Sequence, residues 1–208
     1  MRDCVRKAFV GFTAPLEGVT TWMYLDILGY VTTGIGNLID TVGEAVALPW
    51  KRPDGSLASR AEVEDEWRYV KSLTSLMLKG GGIFQNYTSL RLDLADVDRL
   101  VSARLSQMDI HLAQRFGHYY TDAPADGQLG LLSMSWAAGP MFRYPKLVAH
   151  LKAGNWEGVA AECDLRAGPG NLSLKHRNTA NKTLFRNAGQ VIAQGLDRDT
   201  LYYPQVLA

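Results

Sequence analysis

Apolar residues along the chain follow a helical period in several stretches and break from it in one. From residue 3 to 12, Val5, Ala8, Phe9 and Phe12 share one side of a helix. Pro15 predicts that this helix is short. Glu17 then sits where a helical turn gives way, and Gly18 is a natural stop. Between Trp22 and Leu38 the helical period disappears. Tyr24, Tyr30, Val31, Thr32 and Thr33 favour strands. Gly29 suits a hairpin turn, and Gly34 and Gly36 permit a close or strained backbone. The expected element is a small twisted antiparallel hairpin, with Asp26 near its first turn and Thr32 on the returning strand.

Residues 40 to 58 read as a connection, with turns at Pro49-Trp50 and Pro53-Asp54-Gly55, and with Trp50 pinning it to the body. Ser59 and Glu62 form a capping box for a helix expected to reach about Lys79. Its apolar face is Val63, Trp67, Val70, Leu73 and Met77, and Gly80-Gly81-Gly82 ends it. That glycine run lacks the lysine and hydroxyl residue of a phosphate loop, so it reads as a link at a lobe boundary or groove edge. Asp93 and Asp96 repeat the capping pattern. A long helix follows through Phe116, with Val97, Leu100, Val101, Leu105, Met108 and Leu112 as a core stripe and His111 off it.

The second half is expected to be helical. Pro124 opens a helix holding Leu129, Leu132, Ser133 and Trp136, which Gly139-Pro140 closes. Lys146 to Ala153 is a short helix, and Asn155 caps another over Trp156 to Cys163. Gly168-Pro169-Gly170 is a loop. A final helix spans Lys175 to Gln194, with Leu184, Ala188, Val191 and Ile192 inward and Gly195 as its stop. The class is α+β, a small hairpin among helices. One domain is expected, with a hairpin-bearing region 1–92, a linking helix 93–116 and a helical lobe 117–208. Two lobes joined by a helix would leave a groove between them suited to an extended polymer.

Composition narrows the function classes. The chain of 208 residues is 47% hydrophobic and 21% charged, enough apolar material for a core. A net charge of +1 argues against a nucleic-acid partner. The two cysteines, Cys4 and Cys163, read as buried free thiols, the alternative being a disulfide between the chain ends. His111, His118, His150 and His176 lack ligand spacing, so neither a metal nor a cofactor is expected. The N-terminal MRDCVRKAFVGF does not read as a signal peptide, and no stretch has the length of a membrane span.

The candidate chemistry lies in EGVTTWMYLDILGYVTTGIGN, from Glu17 to Asn37. Two carboxylates close in sequence, separated by a segment that must turn, suit general acid chemistry on a glycosidic bond. They read equally as ordinary surface acids beside a hairpin. In the first case Glu17, ending an apolar segment beside Trp22 and Tyr24, should be semi-buried, which favours its protonated form. Asp26 should be more solvated and charged. The Thr32 hydroxyl can hold a water.

The order of these residues resembles the signature of phage-type lysozymes, the T4 endolysin family. Its elements are Glu17-Gly18, Tyr24, Asp26, Gly29-Tyr30, Thr32 and Gly34-Ile35-Gly36, and the gaps from Glu17 to Asp26 and from Asp26 to Thr32 match the family's own. Weaker likeness extends through Gln128–Gly139, Leu147–Glu162 and Arg177–Ala188. The resemblance implies a lysozyme-like fold and an N-acetylmuramidase. Such an enzyme cleaves the β-1,4 bond between N-acetylmuramic acid and N-acetylglucosamine in peptidoglycan, with inversion. It implies Glu17 as general acid, with Asp26 and Thr32 positioning the attacking water. Tyr30, Gly34, Trp136 and Arg177 are the candidate substrate contacts. Tyr30 and Trp136 read otherwise as packing residues, and Arg177 as a charged helix end facing solvent.

This chain departs from the family pattern at several points. Asn37 stands where the family usually has histidine, Ala137 and Ala138 stand where it often has asparagine, and Pro15 is unusual on the catalytic helix. The 40–59 connection is enlarged. The expected partner is the peptidoglycan glycan strand, met by a monomer at the cell wall or periplasm after release or delivery, without stable membrane insertion. A phage lysin would need a holin-like release partner, and an antibacterial toxin would need a cognate immunity or inhibitor protein. The competing readings are a hydrolase of a chitin-like glycan and a non-catalytic glycan-binding or virion protein.

Overall fold

The computed structural model describes residues 1–166 and 172–208, and the loop expected at Gly168-Pro169-Gly170 lies outside them. The fold is mixed α+β, with a small antiparallel sheet and several helices. The chain divides into two compact units, one of residues 17–104 and one of residues 1–16 with 105–208.

The 17–104 unit holds the sheet. Strand β1 (Thr20–Leu25) pairs antiparallel with β2 (Val31–Gly34), which pairs with β3 (Asn37–Leu38). Met23, Leu25, Val31 and Ile35 are buried. The hairpin turns at Asp26 to Gly29, where the Gly29 N–H donates to the Asp26 carbonyl at 3.0 Å and Gly29 takes a φ of 79°. That positive φ is why glycine stands at the turn.

The connection after the sheet is more ordered than its turn residues suggest. Helix α2 (Val42–Val46) carries its own capping box, Thr41 with Glu44. Trp50 is buried and its indole N–H donates to the Ala45 carbonyl at 2.8 Å, so it does anchor this stretch. Ser59 and Glu62 form the expected capping box on α3 (Arg60–Ser72). The helix ends earlier than Lys79, giving way to 3-10 turns over Thr74–Lys79 and Gly81–Asn86. Val70 and Leu76 are buried across this change, and a spacing of three between apolar residues is compatible with a 3-10 turn.

The other unit is helical. Helix α1 (Asp3–Glu17) runs through Pro15 rather than stopping before it. The proline ring removes a hydrogen bond to the Gly11 carbonyl, but Gly11 is exposed, so water can replace the lost donor. Val5, Phe9 and Thr13 bury the opposite face and hold the helix on course. Helix α4 (Leu94–Phe116) begins in the sheet-bearing unit and ends in this one. It buries Val97, Val101, Leu105, Met108 and Leu112, with His111 exposed.

After the short α5 (His118–Thr121) comes α6 (Ala125–Ala138), which is buried over nearly its whole length. It packs against α9 (Leu172–Ala193) through glycine. A Cβ on Gly130 would fall 2.6 Å from the Phe185 ring, and one on Gly127 would fall 3.2 Å from the Ala188 Cβ. Between them lie α7 (Pro145–Lys152) and α8 (Trp156–Ala161), the latter capped by Asn155, whose side chain accepts the Gly158 N–H at 2.9 Å. Cys4 and Cys163 are free thiols; Cys163 is buried and burial pushes its thiol up to about 12, whereas Cys4 is half-buried. Among the described residues, no helix is long and apolar enough to cross a membrane.

Candidate functional site

Glu17 is the last residue of α1, and Gly18 leaves the helix with a φ of 77°. The Glu17 side chain is exposed, not semi-buried as its apolar neighbours suggest. Asp26 is the more buried of the two acids, because the turn draws it in. Its Oδ1 accepts the Leu28 N–H at 2.8 Å and the Tyr30 N–H at 2.9 Å. One carboxylate oxygen thus organises the backbone of the whole turn.

The strand register brings Thr32 opposite Tyr24, so their side chains share a face of the sheet. Thr32 is buried and its hydroxyl donates to the Tyr30 carbonyl at 3.2 Å. Tyr24 is the residue that links the two acids. Burial, followed by the negative fields of Glu17 and Asp26, pushes its phenol up to about 12. It therefore remains protonated at neutral pH, a neutral hydroxyl under the influence of both carboxylates.

Tyr24 also explains the glycine at position 81. Its ring lies on the backbone of Gly81, where a Cβ would fall 2.8 Å from the ring carbon Cδ2, and the neighbouring Trp22 indole donates to the Gly81 carbonyl at 2.9 Å. Gly81 is a seat for the strand's aromatic residues. Gly81→Ala should displace the Tyr24 ring and cost about 1–3 kcal/mol of stability, as overpacking does. A lowered thermal midpoint together with shifted Tyr24 ring resonances would register this, and unchanged resonances would count against it.

Arg104, on α4, completes the cluster. It is half-buried, and its Nη1 donates to the Gly36 carbonyl. Burial lowers its pKa from the ordinary arginine range, while the fields of Glu17 and Tyr24 oppose that shift. Nothing in the local sequence marked this arginine, since a cation on a long amphipathic helix usually faces solvent.

Gly34 and Asn37 form the turn beside it. Asn37 is buried and its Oδ1 accepts the Ile35 N–H at 3.2 Å; a Cβ on Gly34 would fall 2.8 Å from that same oxygen. Asn37 is thus a neutral clamp on the Gly34-Ile35-Gly36 turn. Tyr30 is exposed, with the Lys71 ammonium 5.6 Å from its ring centre. Lys71 in turn donates to the Gly29 carbonyl at 2.7 Å and to Asp40 at 2.6 Å, bracing the hairpin from behind.

Trp136 and Arg177 belong to the other compact unit. Trp136 is buried, its ring centre 5.1 Å from that of Phe9. Arg177 is not a solvent-facing helix end: it is 1% exposed and donates to the Ser133 carbonyl at 3.2 Å and the Ser133 hydroxyl at 3.1 Å. Within the sheet-bearing unit, then, one cluster gathers Glu17, Tyr24, Asp26, Thr32 and Arg104. The chain matches no protein-family model and no curated protein.

Proposed function

We propose that the protein is a peptidoglycan hydrolase of the phage-type lysozyme kind, with a lysozyme-like fold, cleaving the β-1,4 bond between N-acetylmuramic acid and N-acetylglucosamine. The observation that carries the reading is Tyr24, a phenol that feels both Glu17 and Asp26 and stands opposite Thr32. Acid, second carboxylate and hydroxyl thereby share one neighbourhood, which unrelated surface acids have no reason to do.

In this mechanism Glu17 protonates the glycosidic oxygen. Its exposure suits contact with a polymer, and substrate itself supplies the desolvation that favours the protonated carboxyl. The Asp26 Oδ1 is committed to the turn, so Oδ2 orients the attacking water together with the Thr32 hydroxyl. The rigid turn fixes that oxygen before substrate arrives. Attack on the face opposite the leaving group inverts the anomeric carbon. Tyr30, exposed at the end of the hairpin, offers its ring to a sugar face.

The test is incubation with purified Gram-negative peptidoglycan, followed by mass and anomeric analysis of the fragments. The expected products are reducing muramic-acid ends of inverted configuration. Anhydro-muramic ends would make the protein a lytic transglycosylase, and a retained anomer would remove the water-positioning roles. Release from chitin oligomers alone would move the substrate to that glycan. Wall binding by folded protein without new reducing ends would leave a non-catalytic glycan binder.

A further inference from the structure

The helical unit holds a cavity of about 570 Å³ that uses none of the residues of the mechanism above. Two segments line it. One opens α7 and carries Arg143, Tyr144 and Lys146; the other follows α8 and carries Glu162, Asp164 and Arg166. A space of that size suits a small molecule. Both lining acids are engaged, Glu162 with Lys146 at 3.7 Å and Asp164 with Lys182 of α9 at 2.8 Å. The two arginines are not. Both are exposed, and neither guanidinium has a hydrogen bond or an ion pair among the described residues. Four cations thus meet two carboxylates, which leaves two positive charges unbalanced. We propose that this cavity binds a phosphate monoester, with Arg143 and Arg166 as the residues that hold its phosphoryl group.

The charge excess selects the ligand. A phosphate monoester carries about −1.5 to −2 charges at neutral pH, and its oxygens accept the forked N–H donors of arginine. A single carboxylate would neutralise only half of the excess. Arginine also suits the task better than lysine, because its planar fork can meet two oxygens at once.

The arginines stand on backbone that is already fixed. Arg115 of α4 donates to the Pro140 carbonyl at 2.9 Å and to the Phe142 carbonyl at 2.7 Å, which pins the chain as it enters Arg143. The Phe142 ring meets that of Tyr144 edge-on, with centres 5.9 Å apart. On the other segment, the Asn178 side chain of α9 accepts the Leu165 N–H and donates to the Leu165 carbonyl, each at 2.9 Å, directly before Arg166. Cations placed on pinned backbone, and not drawn off by the neighbouring acids, give up little freedom when an anion arrives.

The test is a nitrogen-15 titration of the full chain with glucose 6-phosphate at constant ionic strength, beside glucose and sodium chloride as controls. Saturable shifts should be confined to the side-chain Nε–H groups of Arg143 and Arg166 and to the amides around them, and neither control should produce them. Replacing both arginines, Arg143→Gln with Arg166→Gln, should weaken binding at least tenfold and leave the melting curve unmoved, since both positions are exposed. Arg60→Gln, at an exposed arginine of the other unit, should leave binding unchanged. Inorganic phosphate and vesicles containing phosphatidic acid separate the sources of the group: tighter binding of the sugar ester supports a soluble phosphate monoester, and tighter binding of the vesicles supports a lipid headgroup of the same chemistry. Shifts no different from those in sodium chloride, or binding undiminished in the double variant, would overturn the proposal. The measurement involves no cleavage, so failure of the hydrolase reading would leave it standing.

Discussion

Glu17→Gln should reduce peptidoglycan cleavage by about 10²–10⁴-fold, the usual contribution of a general acid. Glutamine has nearly the shape of glutamate and no proton to give. The loss should fall on kcat and leave KM nearly unchanged, because proton donation matters in the transition state and not in binding. The fold should be indifferent to the change. Glu17 is exposed, and at the end of α1 the helix dipole disfavours its charge by about 0.3–1 kcal/mol. A cost of that size moves the thermal midpoint by only a few degrees, about 2–4 °C per kcal/mol for a chain of this size. A carboxylate at a helix C-terminus without a basic neighbour in the last turn breaks a local rule, and such breaks concentrate where a residue is retained for function. Steady-state rates on purified peptidoglycan, measured beside a melting curve, decide the matter. A variant as active as the wild type would remove Glu17 from the chemistry.

The hairpin was legible in the sequence because its signals are local. Gly29 needs its positive φ, the β-branched run Val31-Thr32-Thr33 needs a strand, and the side chain of Asp26 caps the turn it sits in. The capping box of α3 and the stop at Gly195 are local in the same sense. What the sequence concealed depends on distant partners. Arg104 gains its place from the Gly36 carbonyl, far off in the chain, and Gly81 is glycine because Tyr24 lies against it. Pro15 predicts a break that the burial of Phe9 and Thr13 overrides. The end of α3 at Ser72 was misread for a different reason. A run of apolar residues spaced by three or four satisfies both helical periods until tertiary packing chooses between them. Arg177 shows the same limit: helix-end cations are usually solvated, whereas this one is buried and bonded to Ser133 on α6.

The largest loss of stability from a single polar side chain is expected at Asp126. It is fully buried on α6, where one oxygen accepts the Asn187 amide and the Tyr203 N–H, each at 3.0 Å, and the other accepts the Tyr202 N–H at 2.9 Å. Asn187 extends the network, donating to the Gln205 carbonyl at 2.8 Å and accepting the Leu207 N–H at 3.0 Å. One carboxylate and one amide therefore fasten the C-terminal tail to α6 and α9. Asp126→Ala strands three donors and should cost about 3 kcal/mol, or roughly 6–12 °C in the melting temperature. Asp126→Asn keeps an acceptor but sets an amide N–H against a backbone donor, so it should fall between alanine and the wild type.

The pH dependence has a definite sign. Burial raises the Asp126 pKa above its ordinary 3.8 despite the donors that oppose it, so the folded state holds this proton more tightly than the unfolded chain. The wild type's advantage over Asp126→Asn should therefore be fullest below about pH 3.8, the unfolded value, and shrink as pH rises through the folded one. Melting curves of both proteins across that range test it. An advantage that grows with pH would mean that the three N–H donors outweigh burial, and that the carboxylate is the form the fold was built to hold.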